Sequence, residues 1–164
     1  MTDTTNIHPT AVIYPNVEIG KNVYIGANCI IGAPPEHKKY WNEELTHGVI
    51  ITEGAVIHGG AIIDAGTERP TFIGKDAWIM KGTYIAHDCF ICADVVISAN
   101  CSIGGGVEIG RGTNLGMGVA VHQKVTVPSG CMIGMNTTIT KATDMVANQI
   151  YIESPARWLS ENKK

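Results

Sequence analysis

The sequence reads as an all-β chain wound into a left-handed parallel β-helix, and three observations point there. First, an aliphatic residue recurs at every sixth position: Ile73, Ile79, Ile85, Ile91, Ile97, Ile103, Ile109, Leu115, Val121, Val127, Ile133 and Ile139. Second, a small or β-branched residue follows each aliphatic by four: Ala77, Thr83, Cys89, Val95, Cys101, Val107, Thr113, Val119, Val125, Cys131 and Thr137. Third, glycine often comes directly after the aliphatic, as at Gly20, Gly26, Gly74, Gly104, Gly110 and Gly134. An amphipathic helix repeats at 3.6 residues and a half-buried strand at 2, so a sustained period of six belongs to neither. Self-similarity at a fixed period marks a solenoid.

The elements follow in chain order. An opening run, Ile7, Ile13, Ile19, Ile25 and Ile31, has the same period, and so does Ile51, Ile57 and Ile63. Each hexad is a short strand with one large residue inward, a tight corner, and a small residue inward. Three hexads close one triangular coil, and coils stack at the strand spacing of about 4.8 Å. The repeats amount to roughly six coils, a prism ~30 Å tall. The rhythm breaks twice. At 33–47 an insertion reads APPEHKKYWNEELTH, and a shorter break spans Glu68 to Thr71. Loops thrown out of a regular solenoid tend to lie where function does. After Ile139 the pattern ends. Ser154-Pro155 reads as an N-cap followed by proline at the first helical position, so SPARWLSENKK is expected to form a short helix. Its Trp158 and Leu159 are expected to cover the open end of the prism. The division is therefore one β-helical domain, 1–140, with the loop insertion 33–47, and an extension over 141–164.

Composition narrows the function. A hydrophobic fraction of 45% supports a buried core, while 16% charged residues and a net charge of −3 argue against nucleic acid as a main partner. The opening residues MTDTTNIHPT lack a basic start followed by an apolar run, so no signal peptide is expected. No apolar stretch approaches the length of a membrane span, so no membrane insertion is expected. A cytoplasmic protein with reduced cysteines is the expectation. Cys29, Cys89, Cys101 and Cys131 fall at the small inward position and read as core filler, whereas Cys92 follows Ile91 and is placed to face outward.

Chemistry concentrates around two histidines. His87 belongs to the hexad that begins at Ile85 and His122 to the hexad that begins at Val121. Those hexads are two coils apart, which puts both histidines on one face, roughly 10 Å apart along the axis. Between them runs Gly104-Gly105-Gly106. An imidazole beside bare glycine backbone suits acyl transfer: it takes a proton from an attacking hydroxyl or amine, and a backbone N–H holds the oxyanion. The other histidines, His8, His37, His47 and His58, read from the pattern alone as surface or stacking residues.

The segment IAHDC (Ile85 to Cys89), the glycine run and AVHQ (Ala120 to Gln123), at their spacing, resemble the acyl-carrier-protein-dependent UDP-N-acetylglucosamine O-acyltransferases of lipid A synthesis. The opening IHPTAVIYPNVEIGKNVYIG is similar to that family's N-terminus, and the resemblance covers about residues 7 to 140. It implies His87 as general base, Asp88 as its orienting acid and Gly105 as the oxyanion donor. His122 and Gln123 would line the acceptor or acyl-chain groove. It further implies a homotrimer with the active site between neighbouring prisms, a nucleotide-sugar acceptor, an acyl-carrier-protein thioester or acyl-CoA as co-substrate, and neither metal nor bound cofactor.

Departures from the family pattern fall on the acceptor side. A second family histidine is replaced by Tyr84, and another by Gly106. Lys39-Tyr40 keeps the family's pair, but His37 stands in the acidic place before it. Met135 falls where a residue limits acyl-chain length and implies a short chain. The family's C-terminal helical domain is expected to be absent from this short form.

Three other readings stand beside this one. An acetyl-CoA-dependent sugar acetyltransferase shares the solenoid and the general base, with Lys124, Lys141 and Arg111 as contacts for a CoA phosphate or an acidic carrier protein. A γ-type carbonic anhydrase needs a histidine pair five apart, and Cys92 stands five after His87. A non-catalytic trimeric solenoid is the third.

Overall fold

The computed structural model describes residues 3–40 and 47–162. The inward aliphatics meet in a single axial column because each hexad turns the chain by one face of a triangle. Two- to four-residue strands form three parallel sheets, one per face. The first face runs from Asn6–Ile7 through Trp78–Ile79 to Gln149–Ile152, the second from Val12–Ile13 through Tyr84–Ile85 to Thr138–Ile139. The third runs from Val17–Ile19 through Phe90–Ile91 to Thr126–Val127. The faces hold eight, seven and six parallel rungs, which makes seven coils instead of the six read from the repeat.

Register confirms the ruler. Ile79 pairs with Ile97, Ile85 with Ile103 and Ile91 with Ile109, each one coil apart. From Ile25 upward the repeating aliphatics are almost wholly buried, and so are the small residues four positions on. Ile7, Ile13 and Ile19, in the first coil described, remain partly exposed. Cys29, Cys89, Cys101 and Cys131 are buried and free, as core filler should be. Burial pushes the Cys89 thiol up to about 12, which leaves it inert. Cys92 is half-buried and packs in part against the core.

Most corners turn through one residue with positive φ, three after the aliphatic. Asn22, Asn28, Asp76, Asp88, Asp94, Asn100, Lys124, Asn136 and Asn148 take this position, or glycine does, as at Gly82, Gly106 and Gly118. Asparagine, aspartate and glycine tolerate the left-handed region best, so this is a further sequence signature of the corner.

The C-terminal expectation is overturned. The period continues past Ile139: Met145 packs against the core, and Tyr151 lies 2% exposed, one rung above Ile133. An aromatic and a thioether simply replace the aliphatics of the last coil. The predicted helix is absent, and Arg157–Glu161 forms a strand antiparallel to Gln149–Ile152. So short a helix would be marginal alone, whereas the top strand offers unpaired N–H and C=O groups that a strand satisfies at once. Trp158 and Leu159 are exposed, and buried Ala156 lies at the open end in their place.

Candidate active site

The edge between the second and third faces brings the candidate residues together. Going up this edge, successive corners present His87-Asp88, Gly105-Gly106, Gln123-Lys124 and Lys141-Ala142, each pair placed by strands one rung apart. The glycine pair leaves a notch directly above the histidine. A cleft of about 680 Å³ opens here, lined on the edge by His87, Asp88, Gly105, Gly106, Gln123, Lys124 and Lys141. Two loops complete it: His37 and Tyr40 from the first insertion, and Thr67, Glu68 and Arg69 from the second.

His87 is held tightly. Its Nδ1 lies 2.7 Å from Asp88 Oδ2. On the other side the ring rests on Gly105, where a Cβ would stand 2.7 Å from Nε2 and 2.8 Å from Cε1. No other residue type fits there without displacing the imidazole. The His37 ring meets His87 edge-on at 5.6 Å between centroids and leans on Tyr40 at 4.9 Å.

Asp88 is itself clamped by the second break. Its Oδ1 accepts the amides of Thr67 (2.8 Å), Glu68 (2.9 Å) and Arg69 (3.1 Å), and its Oδ2 accepts the Thr67 hydroxyl at 2.6 Å. Arg69 Nε returns to the Asp88 carbonyl at 2.9 Å, and its guanidinium pairs with Glu108 at 3.0 Å. Burial alone would raise the Asp88 carboxyl. The hydrogen bonds from Thr67, the Glu68 amide, His87 and the Arg69 amide outweigh it and hold the group well below the ordinary carboxylate range. An ionised Asp88 directs the imidazole proton to Nδ1 and leaves Nε2, over the glycine notch, as the basic atom.

A second acid lies beneath. Asp64 is buried and accepts the Tyr84 hydroxyl at 2.5 Å. Burial raises its carboxyl to about 6, against the lowering effect of the Tyr84 bond. Tyr84 is raised above its ordinary range by burial and by that bond.

The structure brings His37, Tyr40, His87, Asp88, Gly105 and Gln123 into one cleft. Tyr84 and His122 line a neighbouring, largely apolar groove along the second face, and Gln123 borders both spaces. His122 Nδ1 faces the Gln123 carbonyl at 3.0 Å. Lys39 donates to the Tyr40 hydroxyl at 3.0 Å and sits over its ring, so it backs the cleft instead of lining it. Met135 is not brought to the cleft within one chain; it stands exposed on the edge between the first and second faces. Residues 41–46 of the first insertion lie outside the described residues. Of the histidines read as surface or stacking residues, His58 stacks between Tyr24 and Trp78, while His37 enters the site. Sequence reasoning missed Thr67, Arg69 and Asp64. The only signal for the first two was the break itself. Among the described residues no group of three or more His, Cys, Asp or Glu side chains is placed to share a metal ion.

The model of the bacterial transferase hexapeptide (six repeats) matches residues 3–33 and 70–105. No curated protein matches the chain in sequence. Among solved structures, the UDP-N-acetylglucosamine acyltransferase from Campylobacter jejuni aligns at 27% identity and a TM-score of 0.77, over 96% of this chain and 75% of that one. The UDP-N-acetylglucosamine O-acyltransferase of Moraxella catarrhalis aligns at 26% identity and 0.76, with 96% and 75% covered. The repeat, the fold and the likeness to these structures support an acyltransferase. A variant of perosamine N-acetyltransferase from Caulobacter crescentus, solved with CoA and GDP-perosamine, shares the fold at 22% identity and a TM-score of 0.60, over 96% of this chain and 57% of that one. No helix among the described residues is long and apolar enough to cross a membrane.

Proposed function

We propose that this hexapeptide-repeat acyltransferase moves an acyl group from an acyl-carrier-protein thioester to a hydroxyl or amine of a nucleotide sugar such as UDP-N-acetylglucosamine, with His87 as general base. The observation that carries this reading is the His87–Asp88 pair, 2.7 Å apart, set against Gly105. Nε2 of His87 takes the proton of the acceptor hydroxyl as its oxygen attacks the thioester carbonyl. The carbonyl oxygen becomes an oxyanion that the Gly105 N–H stabilises. Collapse breaks the carbon–sulfur bond, and the proton on Nε2 passes to the departing thiolate. The carrier leaves as a free thiol and the acceptor as an ester. His37, Tyr40 and Gln123 orient the acceptor, and the apolar groove at Tyr84 and His122 takes the acyl chain. The working unit is a cytoplasmic homotrimer whose neighbouring prism closes the open cleft. Acetyl-CoA is the second reading of the donor, favoured by the cationic Lys124 and Lys141 at the cleft rim.

The test pairs UDP-N-acetylglucosamine and related nucleotide sugars with acetyl-CoA and with acyl-carrier proteins of graded chain length, reading products by mass. A product from a carrier-protein donor supports the first reading, and one from acetyl-CoA alone supports the second. A folded protein that yields no product with any pair would contradict both.

A further inference from the structure

The corner residue Lys124 departs from its fold. Within the coils, the corners with positive φ are glycine, asparagine or aspartate, and Lys124 (φ 59) is the exception; Glu153 (φ 75) lies outside them, between the last two strands. A long unbranched side chain gains nothing from this conformation, and strain of this kind is kept where the surroundings require it. The Lys124 amide is tied to the Gly105 carbonyl at 2.9 Å, and its Cγ lies 3.3 Å from where a Cβ on Gly106 would stand. The left-handed turn therefore lays this lysine over the glycine notch. Lys141 stands at the next corner up, on the rung that pairs Val121 with Ile139. Both lysines are exposed and line the His87 cleft. Among the described residues neither has an ion-pair partner, while Arg69 at the same cleft is neutralised by Glu108 and Arg111, elsewhere, by Asp94. Two like charges on adjacent rungs repel unless an anion sits between them.

We propose that Lys124 and Lys141 form an anion subsite that binds a phosphate group of a substrate above the glycine notch. This rests on the acyl-transfer reading of the cleft. Lys124 stands two rungs above His87, so the phosphate lies roughly 10 Å along the axis from the reacting atom. That separation fits a diphosphate attached through a sugar to the acylated hydroxyl. A phosphate of CoA has the same chemistry, and binding measurements separate the two.

Calorimetric titration of the full chain with UDP, with CoA and with inorganic pyrophosphate tests the subsite, using wild type, Lys124→Met and Lys141→Met. Loss of one charge-assisted contact should weaken the preferred probe roughly tenfold and reduce its salt dependence. Weakening confined to UDP places the anion on the acceptor; weakening confined to CoA places it on the donor. Lys124→Gly relieves the left-handed backbone and should raise the thermal midpoint while losing the same affinity. Equal affinity of wild type and Lys124→Met for all three probes would overturn the subsite. So would failure of the wild type to bind any of them, or a lowered midpoint in Lys124→Gly, which would assign the lysine to the fold. Binding is read without turnover. A chain that binds through Lys124 but transfers nothing retains the subsite and loses the activity reading.

Discussion

Gly105→Ala isolates the contact on which the proposed chemistry depends. The added Cβ would lie 2.7 Å from Nε2, 2.8 Å from Cε1 and 3.2 Å from Cδ2 of His87, where ordinary contact begins at 3.4 Å. The ring must therefore retreat by about 0.7 Å, the difference between 3.4 and 2.7. It has little freedom to do so. Nδ1 is fixed to Asp88, and Asp88 is fixed by three amides and the Thr67 hydroxyl. Displacing a reacting group by about 1 Å costs on the order of 10²-fold in rate, or about 2.7 kcal/mol of barrier. Gly105 is not among the positive-φ glycines, so alanine brings no backbone penalty, and stability should change by no more than about 1 kcal/mol. The assay is kcat at saturating substrate beside the thermal midpoint, with Gly106→Ala as control. Gly106 has φ +69 and a Cβ there meets only Lys124 Cγ, so that variant should lose about 1–2 kcal/mol of stability without moving His87. Undiminished kcat in Gly105→Ala would refute the geometry.

The two acids predict opposite pH effects on stability. Asp64 has a folded value raised from 3.8 to about 6, so the native state binds the extra proton between those limits. Asp64's contribution to stability should be fullest below 3.8 and fall by up to about 3 kcal/mol as pH rises through 6, and Asp64→Asn should abolish this fall, measured by denaturant titration across pH. Asp88 has a lowered folded value, so its contribution is present above pH 3.8 and disappears on acidification below it; Asp88→Asn should remove that acid-side loss. Thr67→Val removes the 2.6 Å bond to Asp88 and should cut kcat while leaving KM for the donor unchanged, a split visible in steady-state kinetics. Tyr151→Phe removes the oxygen to which the Val146 amide donates at 2.6 Å and should cost about 1 kcal/mol by chemical denaturation.

The coil was legible because its cause is local and repeated: every sixth residue must be inward and large, and a single period predicts each of Ile73 to Ile139. His87 and the glycine run at Gly105 were legible for the same reason, since the eighteen-residue coil converts sequence distance into stacking, whereas Asp88 entered only through the family resemblance of the segment IAHDC. The clamp on Asp88 was not, because it depends on the second break folding back to aim three amides at one oxygen. Asp64 was missed because nothing local distinguishes a buried acid from an exposed one; its hydrogen bond from Tyr84, one rung above, appears only in the folded coil. The C-terminal strand was misread from a real local signal, Ser154-Pro155, that lost to the unpaired backbone of Gln149–Ile152. Tyr151 was overlooked because the last coil changes residue type while keeping its spacing.

The most direct test compares acyl transfer by wild type and His87→Ala under single-turnover conditions with the best donor and acceptor. Loss of a positioned general base should slow transfer by about 10²–10⁴-fold while the thermal midpoint holds. Transfer at the wild-type rate by a folded His87→Ala protein would contradict the account.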